Sequence, residues 1–182
     1  MNCRYEMTLM PGIVGCRRDS YRSRSSSIVA TFGLSPARLL QGGSTHTEPM
    51  TTEENKALAR RFIKEIFEQG RLEAVDELCA EDFIGHTWGN ADKDGLRAAM
   101  DRVSKGLADA QFEIEEMIAE GDQVAVRLTA SARQVGEFMG MPASGRTYEI
   151  GEIHIFRVRD GKVAEHWHQF DSAGLMAQLK PE

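Results

Sequence analysis

The sequence has few cysteines and no long apolar run. Cys3, Cys16 and Cys79 are the three cysteines among 182 residues. Their number is odd and their spacing matches no zinc motif, so we expect no disulfide framework, which fits a reducing compartment. No stretch approaches the roughly 18 consecutive apolar residues that a membrane-spanning helix needs. The formal net charge of −6 disfavours a nucleic-acid-binding protein, because such proteins must neutralise phosphates.

Several chemical motifs are also absent. The chain has no G-x-S-x-G nucleophile turn, no phosphate-binding P-loop, no dinucleotide-binding glycine pattern and no H-E-x-x-H zinc motif. We therefore expect an acid/base pocket for a small molecule, with no cofactor and no metal ion. We also expect a cytoplasmic location, with no membrane or nucleic-acid partner.

The chain divides into two compositions near Met50. Residues 1–49 carry six arginines, no lysine and three acids, which leaves a net charge of −9 for residues 50–182. The first part is rich in Arg and Ser and shows no helical or strand period, so we expect it to be disordered or an N-terminal extension that is not native. An organelle-targeting segment is the alternative interpretation. The folded domain is expected at residues 50–182.

Helical signals come first in this domain. Thr51 and Glu54 have the spacing of a capping box, and apolar residues follow at helical spacing as far as Gly70. Residues 72–78 predict a second, short helix. We expect Cys79 to lie on this apolar helix, with its thiol buried in the core and unreactive. Asn90 or Asp92 is suited to capping a third helix.

Strand signals follow, because from residue 110 the apolar period changes to two. Turns are predicted at 120–122 and at Asp160-Gly161, and a last short helix at 172–179. Helices followed by a meandering antiparallel sheet predict an α+β domain.

The second hairpin has a register that can be worked out. If Asp160 and Gly161 are its two loop residues, Arg159 faces Lys162 and His154 faces Trp167. One face of the hairpin then carries Tyr148, Ile150, Glu152, His154, Phe156 and Val158 with Val163, Glu165, Trp167, Gln169 and Asp171. The other face carries Ile153, Ile155 and Arg157 with Ala164, His166, His168 and Phe170. Burying the first face places a carboxylic acid, an imidazole and an indole in an apolar cavity.

Several segments together resemble a known family. They are Phe83-Ile84-Gly85-His86, GEFMGMPASGR at 136–146, IFRVRDGK at 155–162, Glu165-His166-Trp167 with Asp171, and GLMAQL at 174–179. The sequence is similar to SnoaL-like polyketide cyclases and predicted ester cyclases of the nuclear-transport-factor-2-like superfamily. This resemblance implies a cone-shaped barrel in which three N-terminal helices are wrapped by a curved antiparallel sheet enclosing a pocket. It also implies a homodimer through the outer sheet face.

The resemblance suggests Asp171 as the catalytic general acid/base, because its position matches an aspartate that follows the Asp-Gly hairpin in such cyclases. The alternative is that Asp171 only caps the last helix. His154 is the preferred partner of Asp171 and His86 the second choice, although either could be a structural histidine.

The remaining residues expected to bind substrate are His86, Trp88, Phe138, Met141, Tyr148, Phe156 and Trp167. His166 and His168 could share a metal ion, since i and i+2 in a strand point the same way. We prefer a structural role for both on the outer sheet face.

The leading functional hypothesis is a cofactor-independent cyclase acting on an apolar small molecule through Asp171. An isomerase or epoxide hydrolase could use the same pocket. A binding or dimerisation module without turnover is the third possibility. It is favoured if Asp171 points into the last helix and if Met117, Phe138 and Met141 fill the cavity.

Overall fold

The computed structural model describes residues 50–87 and 91–180, and these form an α+β domain around a curved, unclosed sheet of five strands. The predictions for residues 1–49 and for Trp88 and Asn90 lie outside the described residues. No helix within the described part of the chain is long and apolar enough to cross a membrane.

The helices begin where the sequence predicts. Helix α1 (Thr52–Phe62) has a complete capping box, because Thr51 accepts from the Glu54 amide while the Glu54 carboxylate accepts from the Thr51 amide. A π-helical segment (Ile63–Glu68) continues α1. Helix α2 spans Ala74–Leu78, and α3 (Lys93–Gly106) is capped by Asp92, which accepts from the Gly95 amide.

The strands are β1 (Cys79–Gly85), β2 (Leu107–Glu120), β3 (Gln123–Gln134), β4 (Thr147–Arg159) and β5 (Lys162–Phe170), and helix α4 spans Ser172–Leu179. Their order in the sheet is β1-β5-β4-β3-β2, with β1 parallel to β5 and the other pairs antiparallel. The α+β class is thus confirmed. The prediction that Cys79 lies in a helix is wrong, because this buried residue begins β1.

The inner face of the sheet packs on α1 and supplies the core. Alternate residues of β3 from Val124 to Ala132 are buried, as the period of two predicts. Phe62 and Phe156 pack edge to face at 5.2 Å between ring centroids, and both are fully buried. Burying a side chain of this size contributes about 2 to 3 kcal/mol.

The hairpin between β4 and β5 departs from the predicted register. Asp160 and Gly161 both have positive φ, 51° and 74°, so the two-residue turn itself is confirmed. Val158 still faces Val163, but Arg157 faces Glu165, so Ala164 is an extra residue in β5. Such a bulge reverses which face every later side chain of the strand occupies.

Candidate active site

The bulge brings three histidines and a glutamate together on the inner sheet face. His154 faces His168 and not Trp167, so the predicted pairing is wrong. His166 lies inside and His168 is mostly buried, which corrects the prediction that both occupy the outer face. Both join Glu152 and His154 of β4. We call these four residues the Glu-His cluster.

Two hydrogen bonds and one close contact link the members of the Glu-His cluster. His154 Nε2 lies 3.0 Å from Oε2 of Glu152, and its Nδ1 lies 3.0 Å from Nε2 of His166. Nε2 of His168 lies 3.2 Å from the same Glu152 oxygen. The His154 and His168 rings stack with their centroids 4.3 Å apart. A buried carboxylate therefore faces two imidazoles through one oxygen atom.

Burial and hydrogen bonding determine which residues of this cluster are charged. Burial opposes ionisation of Glu152 and is the largest single influence, but its interactions with His154 and His168 outweigh burial and lower the pKa of Glu152 to about 2. Burial lowers the pKa of His154 and, more strongly, that of His166. Near neutral pH, Glu152 is thus ionised while His154 and His166 are neutral.

An apolar cavity adjoins the cluster, and we call it the main cavity. Glu152 and His168 are its acidic and basic lining residues, and the others are Phe67, Met100, Val103, Leu107, Ala110, Phe112, Phe138, Tyr148, Phe170 and Leu175. Burial, followed by the charge of Glu152, raises the pKa of Tyr148 to about 12, so its hydroxyl stays protonated. Phe67 reaches the cluster from the π-helical segment, with its ring 5.5 Å from that of His154. Such segments often occur at functional sites.

The main cavity is closed on one side by a loop. It holds about 80 Å³, which is smaller than the roughly 300 to 1,000 Å³ of ligand pockets. Phe138 and Val103 also line a surface groove between α3 and the loop 136–145. Met139, Gly140 and Gly145 of this loop have positive φ. Phe138 therefore separates the cavity from the surface.

The predicted site residues are only partly brought together. Tyr148 and Phe138 line the main cavity, whereas Phe156 is fully buried in the core. Met141 is half-buried beside Phe138, through a pair of backbone hydrogen bonds, and packs against the core. His86 and Trp167 stack on each other at 4.4 Å, with Nε2 of His86 2.8 Å from Glu165. Neither of these two lines the main cavity.

Asp171 lies at the N-terminus of α4 and is not part of the Glu-His cluster. Its carboxylate accepts from the Gly174 amide at 2.8 Å and is exposed. It lines a surface depression with Arg127 and Gln169, and Glu152 of the cluster borders the same depression. The bulge in β5 removes the register from which a shared face of Asp171 and His154 is predicted. Its catalytic role stays a prediction.

The cluster also has the composition of a metal site. Ligand atoms of Glu152, His154 and His168 all lie within 4.8 Å of one another, and a carboxylate with two imidazoles suits a first-row transition metal. However, the two stacked rings are within 11° of parallel. Imidazole lone pairs lie in the ring plane, so one ring must rotate before both can bind one ion. The observed arrangement fits hydrogen bonding better.

Three comparisons with known proteins agree. The family model for SnoaL-like polyketide cyclase matches residues 57–179. An aklanonic acid methyl ester cyclase, DauD, from Streptomyces sp. (strain C5) is 30% identical over 128 residues, covering 67% of this chain and 79% of that protein. A nogalonic acid methyl ester cyclase from Streptomyces nogalater is 30% identical over 120 residues, covering 62% and 88%. The structure of TsrD from Streptomyces laurentii is 30% identical, with a TM-score of 0.66, and covers 71% of this chain and 97% of TsrD.

Proposed function

Because this chain belongs to the SnoaL-like polyketide cyclase family, we propose that it closes a ring in an ester-bearing polyketide by proton transfer without a cofactor. The observation that carries the proposal is the carboxylate–imidazole pair of Glu152 and His168 in the wall of an apolar cavity. The relatives named as methyl ester cyclases support the substrate class. A fold alone does not fix a reaction, so the proposal depends on this site.

The reaction we propose is an intramolecular aldol closure. The imidazole of His168 accepts the proton from the acidic carbon, and the Glu152 carboxylate stabilises the resulting imidazolium. The enolate carbon forms a bond to a carbonyl carbon, whose π electrons move to oxygen. The alkoxide then takes the proton back from His168, so the product is an isomer of the substrate. Tyr148, which keeps its proton, can donate to the enolate oxygen.

Substrate entry in this proposal requires movement of the loop 136–145. A polycyclic ester is larger than the main cavity, so Phe138 must leave its position between the cavity and the groove. The positive φ angles of Gly140 and Gly145 are accessible to glycine without strain. We therefore expect Phe138→Ala to lower KM for bulky esters and to change kcat little.

The experiment is conversion of aklanonic acid methyl ester, followed by chromatography for a product of equal mass. Glu152→Gln and His168→Gln should each lower kcat by at least about a hundredfold, because each removes a proton-transfer or charge-stabilising group. Glu149→Gln is the matched control, since this exposed glutamate lies on the opposite face of β4. It should leave kcat unchanged.

The same assay tests Asp171. Asn caps helices about as well as Asp, so Asp171→Asn keeps the cap and removes the acid/base group. We expect nearly full activity. A loss as large as that of Glu152→Gln, with an unchanged melting temperature, would favour Asp171 as the acid/base residue. An ester that stabilises the wild type but is never converted would favour a binding module instead.

The proposed assembly is a homodimer through the outer sheet face. This face exposes apolar side chains in the middle of β4, with Ile153 51% and Ile155 36% exposed. Exposed apolar patches of this kind often mark an interface.

A further inference from the structure

The second inference starts from His166, which the proposed reaction does not use. It is 4% exposed and lies behind His154, whose side chain has no exposed surface. His166 does not line the main cavity; it borders a smaller, adjoining cavity with Phe83 and Thr87, and His168 lines both cavities. We therefore expect His166 not to touch a substrate held beside Glu152 in the main cavity.

The protonation states of Glu152 and His154 decide which residue donates in the hydrogen bond between His154 and His166. Glu152 is ionised, so Nε2 of neutral His154 carries the proton and donates to the carboxylate. Nδ1 of His154 then holds a lone pair and needs a donor. Nε2 of His166, 3.0 Å away, supplies it. The chain of donation runs from His166 through His154 to Glu152.

Packing keeps the His166 ring in place. It stacks on Phe156 with centroids 4.8 Å apart and 18° between planes, and the Phe62 ring lies 5.3 Å away. These neighbours restrict rotation of the imidazole. His154 in turn stacks on His168 and donates to the Glu152 oxygen that His168 also approaches. A shift of His154 would displace both members of the carboxylate–imidazole pair.

We propose that His166 is a positioning residue for ring closure: its N–H donated to His154 holds Glu152 and His168 in reacting geometry. This inference rests on the proposed function. Removing the donor leaves a buried nitrogen without a partner, and His154 then rotates or tilts to find one. Mutation of a residue that only hydrogen-bonds a site residue, without touching the substrate, commonly lowers activity by about ten- to a hundredfold.

The hydrogen bond can be tested without turnover. In protein labelled with ¹⁵N, scalar coupling across an N–H···N bond should connect Nε2 of His166 with Nδ1 of His154. It should disappear in His166→Phe, which has no donor. Absence of the coupling in the folded wild type, at neutral pH and low temperature, would overturn the inference.

The kinetic test separates positioning from general stability. His166→Phe should lower kcat at least tenfold with KM nearly unchanged, whereas His166→Gln should stay within about threefold of wild type, because its amide N–H can reach the same place. Val163→Ala is the matched control, since it removes buried volume from the same strand outside the cluster. It should lower the melting temperature and leave kcat unchanged.

The outcomes distinguish the two proposals. Turnover by the wild type with an unchanged kcat in His166→Phe would overturn the positioning role and leave the cyclase proposal standing. Equal losses in Val163→Ala and His166→Phe would also overturn it, because stability alone would then explain the effect. No turnover by the wild type would overturn both.

Discussion

Acid should destabilise this fold through its two most deeply buried imidazoles. Burial is the largest cause that lowers the pKa of both His154 and His166 below the usual 6.5. Below that pH both imidazoles take up a proton in the unfolded chain but not in the folded chain, so stability falls as the pH falls. Below pH 6.5 each imidazole that stays neutral in the folded chain contributes at most about 1.4 kcal/mol per pH unit, so the loss between pH 7.5 and 5.5 has an upper limit of about 3 kcal/mol.

Glu152 acts in a lower pH window. Its pKa falls from 4.5 to about 2 on folding, so its contribution is complete above about pH 4.5 and is lost as the pH falls toward 2. It therefore adds little to the change between pH 7.5 and 5.5. The loss in that interval reports mainly on the histidines.

The assay is urea unfolding followed by tryptophan fluorescence at pH 7.5, 6.5 and 5.5. The free energy of unfolding of the wild type should fall by up to about 3 kcal/mol, and the melting temperature by up to about 10 °C. His166→Phe should lose about half as much over the same interval. Val163→Ala should have a lower free energy of unfolding at pH 7.5 but show the full loss. A wild-type loss below about 1 kcal/mol, or an equal loss in His166→Phe, would refute the reasoning.

Three further predictions concern packing, assembly and capping. Phe62→Ala, which removes a ring from the core, should lower the free energy of unfolding by about 3 to 5 kcal/mol in the same urea assay. Ile153→Asp should convert the dimer into a folded monomer, as measured by light scattering, and the substitution itself should not destabilise that monomer. A wild-type protein that is already a monomer would contradict the proposed interface. Asp171→Ala should cost about 1 kcal/mol, because it removes the N-cap of α4, whereas Asp171→Asn should cost almost nothing.

Local signals in the sequence predict most of the elements. The capping box at Thr51, the cap at Asp92 and the two tight turns depend on neighbours within four residues, and each is present in the structure. Strand β1 is different, because it follows a short helix without a turn signal and pairs with β5 about eighty residues later. Pairing at that distance leaves no period in the sequence.

The site could be predicted only in part. Periodicity in β4 places Tyr148, Glu152 and His154 on one face, and all three are buried. Trp167 is assigned to the wrong face, because its own strand, β5, changes parity at the bulge. His168, which the structure brings to Glu152, is therefore missed.

One extra residue in β5 thus decides which chemistry faces the interior. Without the bulge, the inner face of β5 would present Glu165 and Trp167 beside His154, and Asp171 would follow at the same parity. With it, His166 and His168 replace them. The sequence shows only that Val163 and Ala164 are consecutive apolar residues, and the structure buries both. A strand with one buried face cannot bury two neighbours without a bulge, so this break in alternation moves the expected acid/base group from Asp171 to the Glu-His cluster.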